Sequence, residues 1–123
     1  MVTEAIPLLG RELQVLAFWM GEDLHISIFG GDKAHIGAVS ILSPEGSIQT
    51  TCFPGHRDDT VSILWCQRLK ARGVHAAVVE AGIHYDNLSR EGIAAVLDAC
   101  DVLWKRLTNG VFENKKEEYE HEE

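Results

Sequence analysis

The first half of the chain alternates apolar and polar residues over short stretches, a pattern typical of β-strands with one buried face. Four strands are predicted, at about residues 12–20, 24–29, 35–42 and 47–53. The alternation is clearest in residues 24–29, where the apolar side chains share one face and His25 and Ser27 lie on the other. The connections between these strands are short. They therefore favour an antiparallel meander, because parallel neighbours need a longer crossover.

In the second half, apolar residues recur every three or four positions, which predicts two helices with one buried stripe each. The predicted stripes consist of Val61, Leu64, Trp65 and Leu69, with Arg72 at the end, on the first helix, and of Ile93, Val96, Leu97, Cys100, Leu103, Trp104 and Leu107 on the second. The first helix is expected to begin near His56 or Arg57 and to stop at Gly73, and the second to span about residues 89–109. Between them, residues 74–80 form a fifth, well-buried strand. The predicted order is β-β-β-β-α-β-α: an α+β fold with an antiparallel sheet of about five strands and two helices on one face.

The length of 123 residues suits one domain, which we place at residues 1–112. Residues 113–123 contain six acids and two lysines, so this tail carries a net charge of −4, half of the total of −8. It is low in apolar content and is either disordered or a solvated helical extension. Because no basic face is visible, nucleic-acid binding is not expected.

The three cysteines are odd in number and form no C-x-x-C pair, which argues against a disulfide scaffold or a structural zinc site. Cys66 and Cys100 lie among apolar residues at helical spacing and are interpreted as core residues. Cys52 precedes a Pro-Gly turn, where a catalytic thiol stays open as an alternative. No apolar run approaches the about 20 residues of a membrane span, and no basic signal sequence is present, so a cytoplasmic protein is expected.

Three loop segments carry most of the candidate chemistry: residues 30–37, 54–59 and 81–87. Each combines glycine with at least one histidine and one acid, beside the end of a predicted element. Glycine lets a backbone approach a ligand closely, and histidine exchanges protons near neutral pH. Binding sites favour loops held by a rigid scaffold, so we expect the three segments to converge on one cleft.

The first two segments each have a simpler interpretation. Gly-Gly-Asp is a common tight turn, and neither G-x-G-x-x-G nor the Walker pattern is present. In the second segment, His56 and Arg57 at a helix N-terminus would attract an anion. The alternative is that Arg57 pairs with Asp59 on the surface.

In the third segment, Asp86 and Asn87 are candidates for turn and capping residues, while His84 and Tyr85 would form a wall for an aromatic ligand. A metal site built from three histidines is conceivable, but no local ligand spacing supports it. A nucleophilic serine is not expected, since the G-x-S-x-G pattern is absent.

Taken in order, the stretches at 29–39 (FGGDKAHIGAV), 54–59 (PGHRDD) and 81–88 (AGIHYDNL) resemble the small D subunit of gallate and hydroxyarylate decarboxylase systems. The resemblance covers roughly residues 11–108. That family is described as a chaperone of prenylated flavin mononucleotide (prenylated FMN) for UbiD-type decarboxylases, and is related in fold to proteasome-assembly chaperones. The resemblance therefore implies cofactor handling, with the decarboxylation done by the large subunit.

The resemblance makes polar residues of the three segments candidates for binding prenylated FMN or FMN. The candidates for the phosphate are Lys33, His56 and Arg57. The candidates for the polar edges of the ring and ribityl chain are His35, His84, Asp86 and Asn87. Gly31, Asp32 and Asp59 complete the set.

The expected partners are a UbiD-type decarboxylase, a flavin prenyltransferase and a second copy of the chain, because the edges of a meander need covering. Two other functions stay open. One is a small hydrolase or lyase that uses His56 or His84 as general base. The other is an assembly chaperone without a ligand.

Overall fold

The strands of this computed structural model form one sheet, and both helices pack against the same side of it. The structure describes residues 1–54 and 57–122, without the side chains of residues 114 and 116–122. The elements are β1 (Val2–Leu8), β2 (Arg11–Met20), β3 (Asp23–Gly31), β4 (Ala38–Leu42), β5 (Ile48–Cys52), α1 (Asp59–Ala71), β6 (Ala76–His84) and α2 (Arg90–Glu122). The predicted α+β class with two helices is confirmed.

The sheet is mixed, and the prediction of a purely antiparallel meander is wrong. The strand order is β1-β2-β3-β6-β4-β5, so β6 lies between β3 and β4. β6 runs parallel to β3, from the pair Asp23–Ala76 to the pair Gly31–His84, and antiparallel to β4. The hairpin β4-β5 and helix α1 supply the long connection that a parallel return requires.

A sixth strand, β1, was not predicted. It forms a hairpin with β2 through a turn in which Leu9 and Gly10 both have positive φ, 52° and 76°. Pro7 interrupts the strand pattern in the sequence. In the structure β1 is the edge of the sheet, where a residue without an N–H is tolerated.

The helix boundaries also differ from the prediction. α1 begins at Asp59, two residues after Arg57, and α2 continues past Asn109-Gly110 to Glu122. Gly110 does not end the helix. A Cβ at this position would lie 3.0 Å from Cγ1 of Val2, so the glycine lets β1 pack closely on α2. The sequence left two alternatives for residues 113–122, disorder or a helical extension, and in the structure they are helical.

The core lies between the sheet and the two helices. Trp65 and Leu69 of α1 and Leu103 and Leu107 of α2 are fully buried. Cys66 and Cys100 are buried with them, as predicted, and burial raises the pKa of their thiols to about 11 and about 12. Both therefore stay protonated at neutral pH. Within the described residues, no helix is long and apolar enough to cross a membrane.

The predicted buried stripes are wrong at three positions on the helices. Leu64 on α1 and Ile93 and Leu97 on α2 are 38%, 49% and 43% exposed. They lie at the edges of their stripes, whereas Trp65, Val96 and Cys100 occupy the centres and contact the core. The three- and four-residue spacing of apolar residues is the same at the centre and at the edge of a stripe, so it does not show which residues are buried.

A pair of isoleucines tests this description of the core. Ile26 on β3 is fully buried, and Ile41 on β4 is 46% exposed. We expect Ile26→Ala to lower the free energy of unfolding by about 2–5 kcal/mol, because it leaves a cavity. The same change at Ile41 should cost about 1 kcal/mol or less. Urea denaturation measures both, and equal losses would contradict the assigned strand faces.

Candidate functional site

The carboxylate of Asp58 joins the three loop segments. Asp58 is the N-cap residue of α1 and is only 9% exposed. Its Oδ1 accepts a hydrogen bond from the backbone N–H of Ile83 at 2.9 Å, and its Oδ2 lies 3.1 Å from Nε2 of His35. The start of α1, the end of β6 and the loop after β3 are therefore tied to one side chain. The three segments thus meet, as predicted, but several cavities border their junction in place of the one cleft expected.

A second set of contacts joins the first segment to the third. The backbone N–H of Asp32 donates to the carbonyl oxygen of His84 at 2.6 Å, and Oδ2 of Asp32 accepts from the N–H of Asp86 at 2.9 Å. Oδ1 of Asp32 pairs with Nε of Arg11, also at 2.9 Å. The hydrogen bond from Asp86, followed by that from Arg11, lowers the pKa of the Asp32 carboxyl group.

The two histidines of these segments lie near each other, with 6.4 Å between the ring centroids of His35 and His84. Nδ1 of His35 lies 3.0 Å from the carbonyl oxygen of Lys33, and Nε2 of His84 lies 2.8 Å from Oδ1 of Asp86. His35 is the more enclosed, with 22% of its side chain exposed against 42% for His84. The pair places imidazole edges at the surface where the segments meet.

The glycines of the segments let the loops pack on one another. A Cβ at Gly82 would overlap the carbonyl oxygen of His35, and a Cβ at Gly37 would overlap Oδ2 of Asp58. Gly31, a candidate ligand contact, has φ 86° and abuts the carbonyl oxygen of His84. The close backbone approach expected from these glycines therefore occurs within the protein itself.

The two described cations of the site are not seen paired with any acid that the structure describes. Lys33 and Arg57 are exposed, and neither forms an ion pair within the part of the chain that the structure describes. The alternative pairing of Arg57 with Asp59 is therefore not observed.

The other candidate residues occupy varied positions. Asp59 is the first residue of α1, so Asp58 and Asp59 place two carboxylates at the helix N-terminus where an anion was expected. Asn87 has φ 55°, a left-handed conformation that asparagine tolerates well. His56 lies outside the described residues.

Sequence reasoning did not select Asp58 as a site residue. The signal was present, since two consecutive aspartates precede the helical pattern. Helix capping and the helix dipole favour acids at both positions, so the sequence does not tell which side chain turns inward. Only the folded positions of Ile83 and His35 decide it.

A further polar cluster, also missed, lies on the side of the sheet away from the helices. Nε2 of His25 is 2.5 Å from Oε1 of Glu80, and the hydroxyl of Ser27 donates to the same oxygen at 2.9 Å. The His25 ring stacks on Phe18 with centroids 4.8 Å apart. A nucleophilic triad needs the acid and the serine on opposite nitrogens of the histidine. Here one nitrogen faces both, and the serine proton is directed to the acid.

Two cavities flank the junction of the segments. One, of about 320 Å³ on the open side of the sheet, is lined by Phe29, His35, Ile36 and Glu80 among others. The other, of about 530 Å³, has the acids Asp32, Asp86 and Glu91 in its lining. Among the described residues, which leave out His56, no group of three His, Cys, Asp or Glu side chains is arranged to hold a metal ion.

Comparison with known proteins identifies the family. Residues 9–111 match the model of the prenylated flavin chaperone LpdD-like domain, and all three loop segments lie inside this range. The chain belongs to this family. It is also 28% identical over 103 residues to protein LpdD of Lactiplantibacillus plantarum, an alignment that covers 80% of this chain and 76% of that protein. The resemblance drawn from the three short stretches is thereby confirmed.

Neighbouring aspartates allow a matched test of the junction. We expect Asp58→Ala to lower the free energy of unfolding by about 1–3 kcal/mol, because it leaves the N–H of Ile83 without its acceptor. Asp59→Ala should cost less than about 1 kcal/mol, the contribution of an acid to the helix dipole. Thermal and urea unfolding provide the measurement. Losses of the same size in both variants would show that Asp58 does not hold the segments together.

Proposed function

We propose that this protein binds prenylated FMN and delivers or matures it for a UbiD-type (de)carboxylase. The supporting observation is the meeting of the three segments at Asp58, which gathers the two histidines, while Lys33 and Arg57 form no ion pair with any described residue. Family membership adds the chemistry of the ligand. A flavin phosphate is an anion that such cations would hold.

Within this proposal the candidate residues contact different parts of the flavin. Lys33, His56 and Arg57 hold the phosphate. His35 and His84 face the polar edge of the ring or the ribityl chain, as do Asp86 and Asn87. Asp32 takes part through the loop it fixes, since its carboxylate oxygens already bond Arg11 and Asp86. Gly31 and Asp59 contribute backbone at the same surface.

The proposed partners follow from the cofactor. A flavin prenyltransferase supplies prenylated FMN, and a UbiD-type decarboxylase receives it. We propose that this exchange takes place in the cytoplasm.

The first experiment is the absorbance spectrum of the protein purified after co-expression with a flavin prenyltransferase. We expect a bound flavin chromophore in the native protein. A protein without chromophore that turns over a small substrate would favour a hydrolase or lyase. A protein with neither property would favour a ligand-free assembly chaperone.

The same preparation tests Arg57. We expect Arg57→Ala to weaken flavin binding at least about tenfold with an unchanged melting temperature, because charge-assisted hydrogen bonds to the phosphate are lost. Arg57→Lys should restore only part of the affinity, since an ammonium lacks the planar fork of donors. Arg106→Ala, at an exposed position on α2, is the matched control and should bind normally. Native affinity in Arg57→Ala would remove Arg57 from the site.

We also propose that the protein is a homodimer. Within the described residues, β1 pairs only with β2 and β5 only with β4, so the outer edge of each strand is open, and exposed edges tend to be covered by pairing. Closed two-fold symmetry is the commonest way to achieve this. Light scattering should give twice the monomer mass at micromolar concentration. A monomer at high micromolar concentration would contradict the dimer.

A further inference from the structure

An apolar groove runs between the first turn of α1 and the first turns of α2. Its volume is about 390 Å³. The apolar residues in its lining are Val61, Ile83, Leu88, Ile93, Val96 and Leu97, and Arg57, Asp58 and Thr60 lie with them. The groove therefore shares Asp58 and Ile83 with the junction of the loop segments.

The walls of this groove expose large apolar side chains. Ile93 and Leu97 are 49% and 43% exposed, one helical turn apart on α2. Burying such side chains is favourable, so their exposure to water is a local free-energy cost. A ligand with an apolar body would remove that cost.

One end of the groove contains the guanidinium group of Arg57 next to the carboxylate of Asp58. Arg57 has no ion pair within the described part of the chain, as set out above, and it belongs to the groove lining. The neighbouring acid, Asp58, is occupied by the N–H of Ile83 and by His35. The groove thus combines a positive charge with an apolar wall, as an amphipathic anion requires.

The two cavities on the other sides of the junction lack this combination. The larger one has Asp32, Asp86 and Glu91 in its lining, and its described lining residues include no arginine or lysine to bind a phosphate. The one on the open side of the sheet contains Glu80. Of these three cavities, the groove matches an anionic and partly apolar ligand best.

We propose that this groove holds the apolar body of the flavin, with its five-carbon prenyl unit between Ile93 and Leu97 and the phosphate toward Arg57. The inference rests on the proposed function and adds selectivity to it. Each buried methylene strengthens binding about fourfold, so a groove of this kind would distinguish prenylated FMN from FMN.

The test compares prenylated FMN with FMN by anaerobic fluorescence titration of the full chain. The native protein should bind prenylated FMN at least about tenfold more tightly than FMN. Leu97→Glu should abolish this preference, because it places a carboxylate in the apolar wall. Ile93→Glu, on the same wall, should do the same.

Val102→Glu is the matched control. Val102 lies on the same helix, is 37% exposed and is not part of the groove lining, so its substitution should leave both affinities unchanged. Melting curves verify that all three variants fold. If one groove variant fails to fold, the other still decides the outcome.

Several outcomes would overturn the inference. If the native protein binds both flavins and the groove variants keep its preference, the groove is refuted and the proposed function stands. If the native protein binds neither flavin, the proposed function fails and the groove assignment fails with it. If the variants keep their flavin affinities but lose the decarboxylase or the dimer, the groove is a protein interface instead.

Discussion

The parallel pairing of β3 with β6 is the constraint on which the rest of the site depends. Parallel neighbours end at the same edge of a sheet, so the chain leaves both strands side by side after Gly31 and His84. The two loops that follow are then close enough for Asp32 to bond the backbone of His84 and Asp86. An antiparallel arrangement of the same strands would send these loops to opposite edges.

The second segment, at the start of α1, reaches this edge through the buried acid Asp58. A carboxylate withdrawn from water has to be satisfied by donors, and Asp58 finds one in the N–H of Ile83 and a second partner in His35. Most polar groups of the three segments are likewise used within the protein. The charges of Lys33 and Arg57 differ from these groups, because the described part of the fold gives them no ionic partner.

Local patterns predicted much of this structure. Alternation located β2 to β5, and the helical periodicity located both helices, because these signals reside in neighbouring residues. The position of β6 in the sheet could not be predicted in this way, because strand pairing depends on residues about fifty positions apart, such as His25 and Val78. Strand β1 was not predicted because Pro7 is acceptable only in an edge strand, and the sequence does not show which strands lie at the edge of the sheet.

The same limit applies to the site. Glycine and histidine marked three segments that do meet in the fold, but they did not separate Asp58 from Asp59. They also did not show that Gly37 and Gly82 receive neighbouring loops. Ile93 and Leu97 carried the periodicity of buried residues and lie exposed, because periodicity does not distinguish the centre of a stripe from its edge.

The interlocking glycines have a consequence for the evolution of this site. Gly82 accommodates the backbone of His35, and Gly37 accommodates the side chain of Asp58. The conformation of each loop therefore depends on its contacts with the others. A single loop transferred from a distant relative would pack poorly, because the two loops around it are shaped to fit a different sequence. The three segments are thus expected to be inherited and grafted as one unit, although more than forty residues separate the first from the last.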